Sequence, residues 1–188
     1  MGRRLEKQEV DMDLKCGAFT FALLASIAAT LPVAAQQARQ RGWDAMCQRN
    51  DQPFDFCTPH AGPRVVGYTP ELADAMRAVN HDANRAYRYS SDSSEYWTVP
   101  RGGTADCEDF VLAKIAVLGE MGFPVSAMSI VVGRMWNGRW HAVLVIDTDA
   151  GAVALDSMHN ELVAPGRVGM RGGYTMSMTT PGHWVAFD

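Results

Sequence analysis

The stretch Gly102-Gly103-Thr104-Ala105-Asp106-Cys107-Glu108-Asp109-Phe110, continued by Val111-Leu112-Ala113-Lys114-Ile115-Ala116-Val117-Leu118, decides the fold. A diglycine runs into an acidic cluster that encloses a cysteine, and an apolar helical pattern follows. The spacing places Cys107 in the first turn of a buried helix. There the orphan backbone N–H groups and the helix dipole favour a thiolate. Asp106 as N-cap and Asp109 three residues on form a capping pair. The same carboxylates, with Glu108, oppose the dipole by like-charge repulsion on the thiol. Carboxylate oxygens also suit a hard cation such as calcium, so capping and cation binding both stand as readings of this cluster.

Downstream, Met128 to Trp136 and Arg139 to Thr148 read as strands joined by Asn137-Gly138, a strong hairpin signal. Alternation groups His141 with Val143 and Val145 and opposes them to Ala142, Leu144 and Ile146. On this reading His141 points toward the helix packed on its face. Asp149-Ala150-Gly151 turns the chain into Ala152-Val153-Ala154-Leu155-Asp156, which puts Asp156 at a strand end beside His141. A thiol on a helix, a histidine on one strand and an aspartate on the next compose a nucleophile, its base and the group that orients the base. Each has an ordinary alternative, since a histidine on an apolar face is commonly structural and an aspartate commonly opens a turn. The combination is the signal. The oxyanion donors expected are the Cys107 backbone N–H and the Trp97 indole.

Upstream, Thr69 caps a helix that starts at Pro70, carries Leu72, Ala75, Met76 and Val79 at helical spacing, and ends between Asn84 and Tyr87. Ser90 to Ser94 is a polar break. The Cys107 helix stops near Gly119 to Gly122, before Pro124. Residues 174–187 add one or two more strands, and 164–174 read as a loop bordering the cleft. The expected architecture is α+β, a helix packed on an antiparallel sheet.

The 188 residues carry a net charge of −4 and no basic stripe, which argues against a nucleic-acid partner. No apolar run reaches the roughly 18–20 residues of a membrane span. Gly17 to Leu31 followed by Val33-Ala34-Ala35 reads as an export signal over residues 1–35, with Met12 the more compact start; residues 36–188 form the mature domain. That domain holds Cys47, Cys57 and Cys107. Pairing the first two clips a ten-residue loop and leaves Cys107 as a thiol in an oxidising compartment. Cys57-Thr58-Pro59-His60 lacks the second pair that a zinc site needs.

The run Asn80-His81-Asp82-Ala83-Asn84-Arg85-Ala86-Tyr87-Arg88-Tyr89, then Asp92, Tyr96-Trp97-Thr98-Val99-Pro100, Ala105-Asp106-Cys107-Glu108-Asp109-Phe110, His141-Ala142-Val143-Leu144 and Leu155-Asp156-Ser157-Met158 resembles the bacterial transglutaminase-like cysteine proteinases. The resemblance covers roughly residues 40–187. It implies a papain-like, transglutaminase-type fold with Cys107, His141 and Asp156 as catalytic residues. Relatives of the LapG type imply a periplasmic endopeptidase that cleaves large surface adhesins near paired alanines and so releases biofilm cells. They also imply calcium held by Asp106 and Glu108, and sequestration by an inner-membrane receptor. Ser157 stands where such proteins often have asparagine, a mild departure. Two rivals share the fold: an acyl transferase (transglutaminase or amidase) on the same triad, and a non-catalytic binding module.

Overall fold

Thr69 and Pro70 open a helix in the way their chemistry dictates. The Thr69 hydroxyl accepts the Leu72 N–H at 3.2 Å, and Pro70 needs no donor at the first helical position. The computed structural model describes residues 36–92 and 94–188, and the export signal expected over 1–35 lies outside the described residues. Residues 36–49 form helix α1. The helix opened by Thr69 is α2 (Pro70–Ala86), burying Ala73, Met76, Val79 and Asn80. Two-residue strands β1 (Arg88–Tyr89) and β2 (Thr104–Ala105) pair in parallel. Helix α3 (Cys107–Glu120) follows at once.

Five strands then build one antiparallel sheet: β3 (Met128–Met135), β4 (Trp140–Ile146), β5 (Val153–Leu155), β6 (Met170–Ser177) and β7 (Val185–Phe187), in the spatial order β5-β4-β3-β6-β7. The β3–β4 hairpin turns at Asn137-Gly138, where Gly138 takes φ of 80° as the tight turn requires. The mixed helix and antiparallel-sheet architecture is the α+β one expected.

The segment 164–174 is not a loop throughout. A short 3₁₀ turn at Pro165–Arg167 leads into β6, whose Met170-Arg171-Gly172-Gly173 pairs with β3. Glycine stands there because of a close approach: a Cβ on Gly173 would lie 2.2 Å from the Val132 carbonyl oxygen.

Helix α3 packs its apolar residues Val111, Leu112, Ile115 and Leu118 against Ala142, Leu144 and Ile146 of β4. Val143 and Val145 join Ala154 and Val168 in a second cluster on the opposite face. The alternation is as read, but the face is corrected. The helix covers the row of Ala142, because the continuous apolar set there matches the buried side of α3.

Cys47 and Cys57 form a disulfide, and Cys107 is the thiol left over among the described residues. The bridge closes a ten-residue loop that carries the buried Phe56. Replacing both cysteines by alanine is expected to lower unfolding free energy by about 2–3 kcal/mol. Urea unfolding of the oxidised protein and the double variant measures it, and equal midpoints would refute the assignment.

Candidate active site

Asp106 caps α3 with its side chain, accepting the Asp109 N–H at 3.3 Å, while Asp109 accepts the Asp106 N–H at 3.4 Å. The reciprocal box anticipated from Asp-x-x-Asp is therefore present. Asp109 also accepts the Thr98 N–H at 3.0 Å, which ties the preceding segment to the helix start. With its ends so fixed, α3 presents Cys107 at its first position.

The sulfur meets two opposing influences. Its S–H donates to Glu108 Oε2 at 3.1 Å, and the Ala142 N–H of β4 points at it. Burial pushes the thiol well above its ordinary range. The charges of Glu108 and Asp106 add to that, and only the Ala142 N–H opposes it. Desolvation and the adjacent carboxylates thus act against the thiolate that a helix start favours.

The carboxylates strain against one another as well. Burial first and Asp92 later push Asp106 up to about 6. Burial and Asp106 push Glu108 up to about 8, and burial and Asp106 bring Asp109 to about 7. Asp92, Glu95, Asp106 and Glu108 line one hollow of about 360 Å³ together with Cys107. All these donors are carboxylates, the oxygen set that suits a hard cation. Among the described residues, no three such side chains converge as a finished ligand set.

His141 is the second residue of β4, nearly buried at 6% exposure, and its Nε2 lies 2.7 Å from Asp156 Oδ1. Asp156, just past the end of β5, is fully buried. Burial pushes its carboxyl up. Hydrogen bonds from His141, the Met158 N–H and His159 more than offset this, leaving it at about 2. An ionised carboxylate only accepts, so Nε2 of His141 carries hydrogen and Nδ1 is the nitrogen left to act as a base.

The structure thus joins His141 to Asp156 directly and sets Cys107 against the residue after His141. Trp97 is not brought in. It lies in the core between Trp43 and Trp184, with ring centroids 5.5 and 5.8 Å away, and lines neither hollow at the site.

Several site residues escape a reading by sequence. His159 Nδ1 occupies the outer oxygen of Asp156 at 2.9 Å, so one carboxylate holds two imidazoles. Asn84 donates to the Asp156 carbonyl at 2.9 Å, and Asn80 to the His159 carbonyl at 2.7 Å. These two, four apart on α2, clamp the Asp156 loop. Their spacing within the quoted run was the available signal.

Arg39 of α1 is buried with its guanidinium 3.9 Å over the Trp140 ring. Burial lowers its pKa, and the charges of Glu95 and Glu108 oppose that. Arg139 donates to the Tyr89 hydroxyl at 3.1 Å, and this pair borders both hollows. The second hollow, about 290 Å³, is walled by His141, Trp136 and Met158.

The family model for bacterial transglutaminase-like cysteine proteinases matches residues 33–188. Solved structures of Legionella pneumophila LapG share the fold. The calcium-bound form has a TM-score of 0.51 at 24% identity, over 59% of this chain and 67% of that one. The EGTA-treated form has a TM-score of 0.50 at 23% identity, over 59% and 66%. No curated protein sequence matches.

Proposed function

Because the chain belongs to the bacterial transglutaminase-like cysteine proteinases, we propose that Cys107, His141 and Asp156 perform peptide-bond cleavage in an exported endopeptidase. The observation that supports this is the buried 2.7 Å bond between His141 Nε2 and Asp156, which leaves Nδ1 as the ring nitrogen not held by the carboxylate. Nδ1 takes the Cys107 proton as sulfur attacks the carbonyl carbon. His141 returns that proton to the leaving amine as the C–N bond breaks. Water then adds to the thioester with His141 again as base, releasing the acid and restoring the thiol. The Cys107 backbone N–H, an orphan donor at the start of α3, serves the oxyanion. Water winning the acyl-enzyme separates this reading from acyl transfer, and an amine-acceptor assay reads the difference.

Asp106 and Glu108 are assigned as calcium ligands in this proposal, supported by the carboxylates of Asp92 and Glu95 in the same hollow and by the calcium-bound form of LapG. A bound calcium ion would neutralise carboxylate charge beside the thiol. Chelation is expected to lower the melting temperature by roughly 5–10 °C, the shift given by a ligand held about a hundredfold above its dissociation constant. In Asp106→Asn, which keeps a good N-cap, that response is expected to vanish. A melting temperature indifferent to chelator in the unaltered protein would remove the metal.

Residues 1–35 direct export to the periplasm in this reading, and the Cys47–Cys57 disulfide supports an oxidising destination. Among the described residues no helix is long and apolar enough to cross a membrane. The substrate proposed is a large surface adhesin, with an inner-membrane receptor as the sequestering partner; both rest on the family resemblance. Incubating the exported protein with candidate surface proteins, and mapping new termini by mass spectrometry, tests the substrate. Cleavage that persists in Cys107→Ala would refute the assignment.

A further inference from the structure

Lys114 is a charged residue inside an otherwise apolar helix. It lies seven residues after Cys107, two turns along the same stripe of α3, with Phe110 between them and the Phe110 ring 5.8 Å from its Nζ. Its exposure is 0%, and Nζ has no hydrogen-bond partner among the described residues. Its α3 neighbours Val111, Ile115 and Leu118 are apolar, so packing alone is served as well by methionine. A buried ammonium without an acceptor is costly, and folding gives no reason for one here.

The surroundings supply a reason. The ionised group acting on Lys114 is Asp156, the same carboxylate that binds His141 and His159. On the α2 side stand Asn80 and Asn84, which are neutral. Their amide nitrogens hold the Asp156 loop, while their Oδ1 atoms are buried without hydrogen-bond partners among the described residues. One buried anion thus binds two imidazoles, and its charge acts on one buried amine.

We propose that Lys114 is a positioning residue for the reaction, whose buried amine shares Asp156 with His141, so that charge gained by the imidazole is opposed at Lys114. When His141 takes the thiol proton, the carboxylate acquires a second cation, and Lys114 is the group able to yield. Burial lowers Lys114 to about 7, with Asp156 opposing, so its charge is easily lost near neutrality. By linkage each group weakens proton binding at the other equally. The inference rests on the His141–Asp156 reading of the triad. A Cys107→Ala protein that still cleaved would sink catalysis while leaving this coupling measurable.

The test is NMR titration of the His141 ring and the Lys114 ¹³Cε in the calcium-loaded Cys107→Ala protein. Asp156→Asn is expected to lower the Lys114 midpoint by on the order of one pH unit. Coupling also requires that whichever group titrates at lower pH moves up when the other is removed. His141 must therefore rise in Lys114→Met, or Lys114 must rise in His141→Gln. Lys114→Met is also expected to melt no lower than its parent, since it exchanges an unpartnered charge for apolar packing. Should Lys114→Met not fold, Lys114→Gln is read in its place. A Lys114 midpoint indifferent to Asp156→Asn overturns the proposal. So does a pair of variants in which neither midpoint moves.

Discussion

Cys107→Ala is expected to lose at least about 10⁴-fold in kcat/KM, equivalent to about 5–6 kcal/mol of barrier, while melting within a few degrees of the parent. The covalent route needs a nucleophile at the start of α3, and no neighbour can stand in. Glu108 accepts the S–H at 3.1 Å, but a carboxylate is a far weaker nucleophile toward a peptide carbonyl than a thiolate. His141→Ala is expected to lose activity comparably and to fold less stably, by about 1–3 kcal/mol. It leaves a fully buried carboxylate with one partner fewer. The double variant is expected to be no worse than either single one, because the two residues act as a unit. Single-turnover cleavage and thermal melts on the three variants measure this, and residual activity in Cys107→Ala above background would refute the mechanism.

Asp156 separates geometry from charge. Asp156→Asn keeps the shape, yet its amide can present a donor to His141 Nε2 and cannot stabilise the imidazolium. The expected loss is about 10²–10⁴-fold in kcat. Asp156→Ala is expected to cost about 3–5 kcal/mol of stability, because it strands His141, His159 and the Met158 N–H together.

The pH dependence has a definite sign. The folded carboxyl at about 2 lies below the unfolded one, so the folded state binds its proton less readily. Its contribution, about 2 kcal/mol, is present above the ordinary carboxylate range near pH 4 and is lost as pH falls toward 2. Urea unfolding at pH 5 and pH 2.5 is expected to show a gap between the parent and Asp156→Asn that closes at the lower pH. A gap constant between the two would mean that Asp156 titrates normally.

Residues with strong local chemistry were legible without a structure. The Asp106–Asp109 box, the Pro70 start and the Asn137-Gly138 turn each rest on interactions within a few residues, and each stands as read. The helix over 36–49 was missed because few of its positions are buried anchors: Trp43 and Met46 stand among glutamines and arginines. The β1–β2 pair was missed because two-residue strands carry no period, although it sets Tyr89 beside the nucleophile. The start of β6 was read as part of a loop over 164–174, whereas Gly173 is there to let two strand backbones approach. Lys114 was visible as a lone charge in an apolar run, and only its depth shows what that charge faces.

By itself the sequence determined which groups could do chemistry: a thiol at a helix start, a histidine after a hairpin turn and an aspartate at a strand end. Those assignments follow from short-range rules of capping, turn geometry and alternation. Tertiary structure decided which nitrogen of His141 the carboxylate holds, that Asp156 binds two imidazoles, and that burial raises the Cys107 thiol. These are questions of distance and desolvation between residues far apart in the chain. Packing of α3 on β4, with the α2 clamp on the Asp156 loop, sets both.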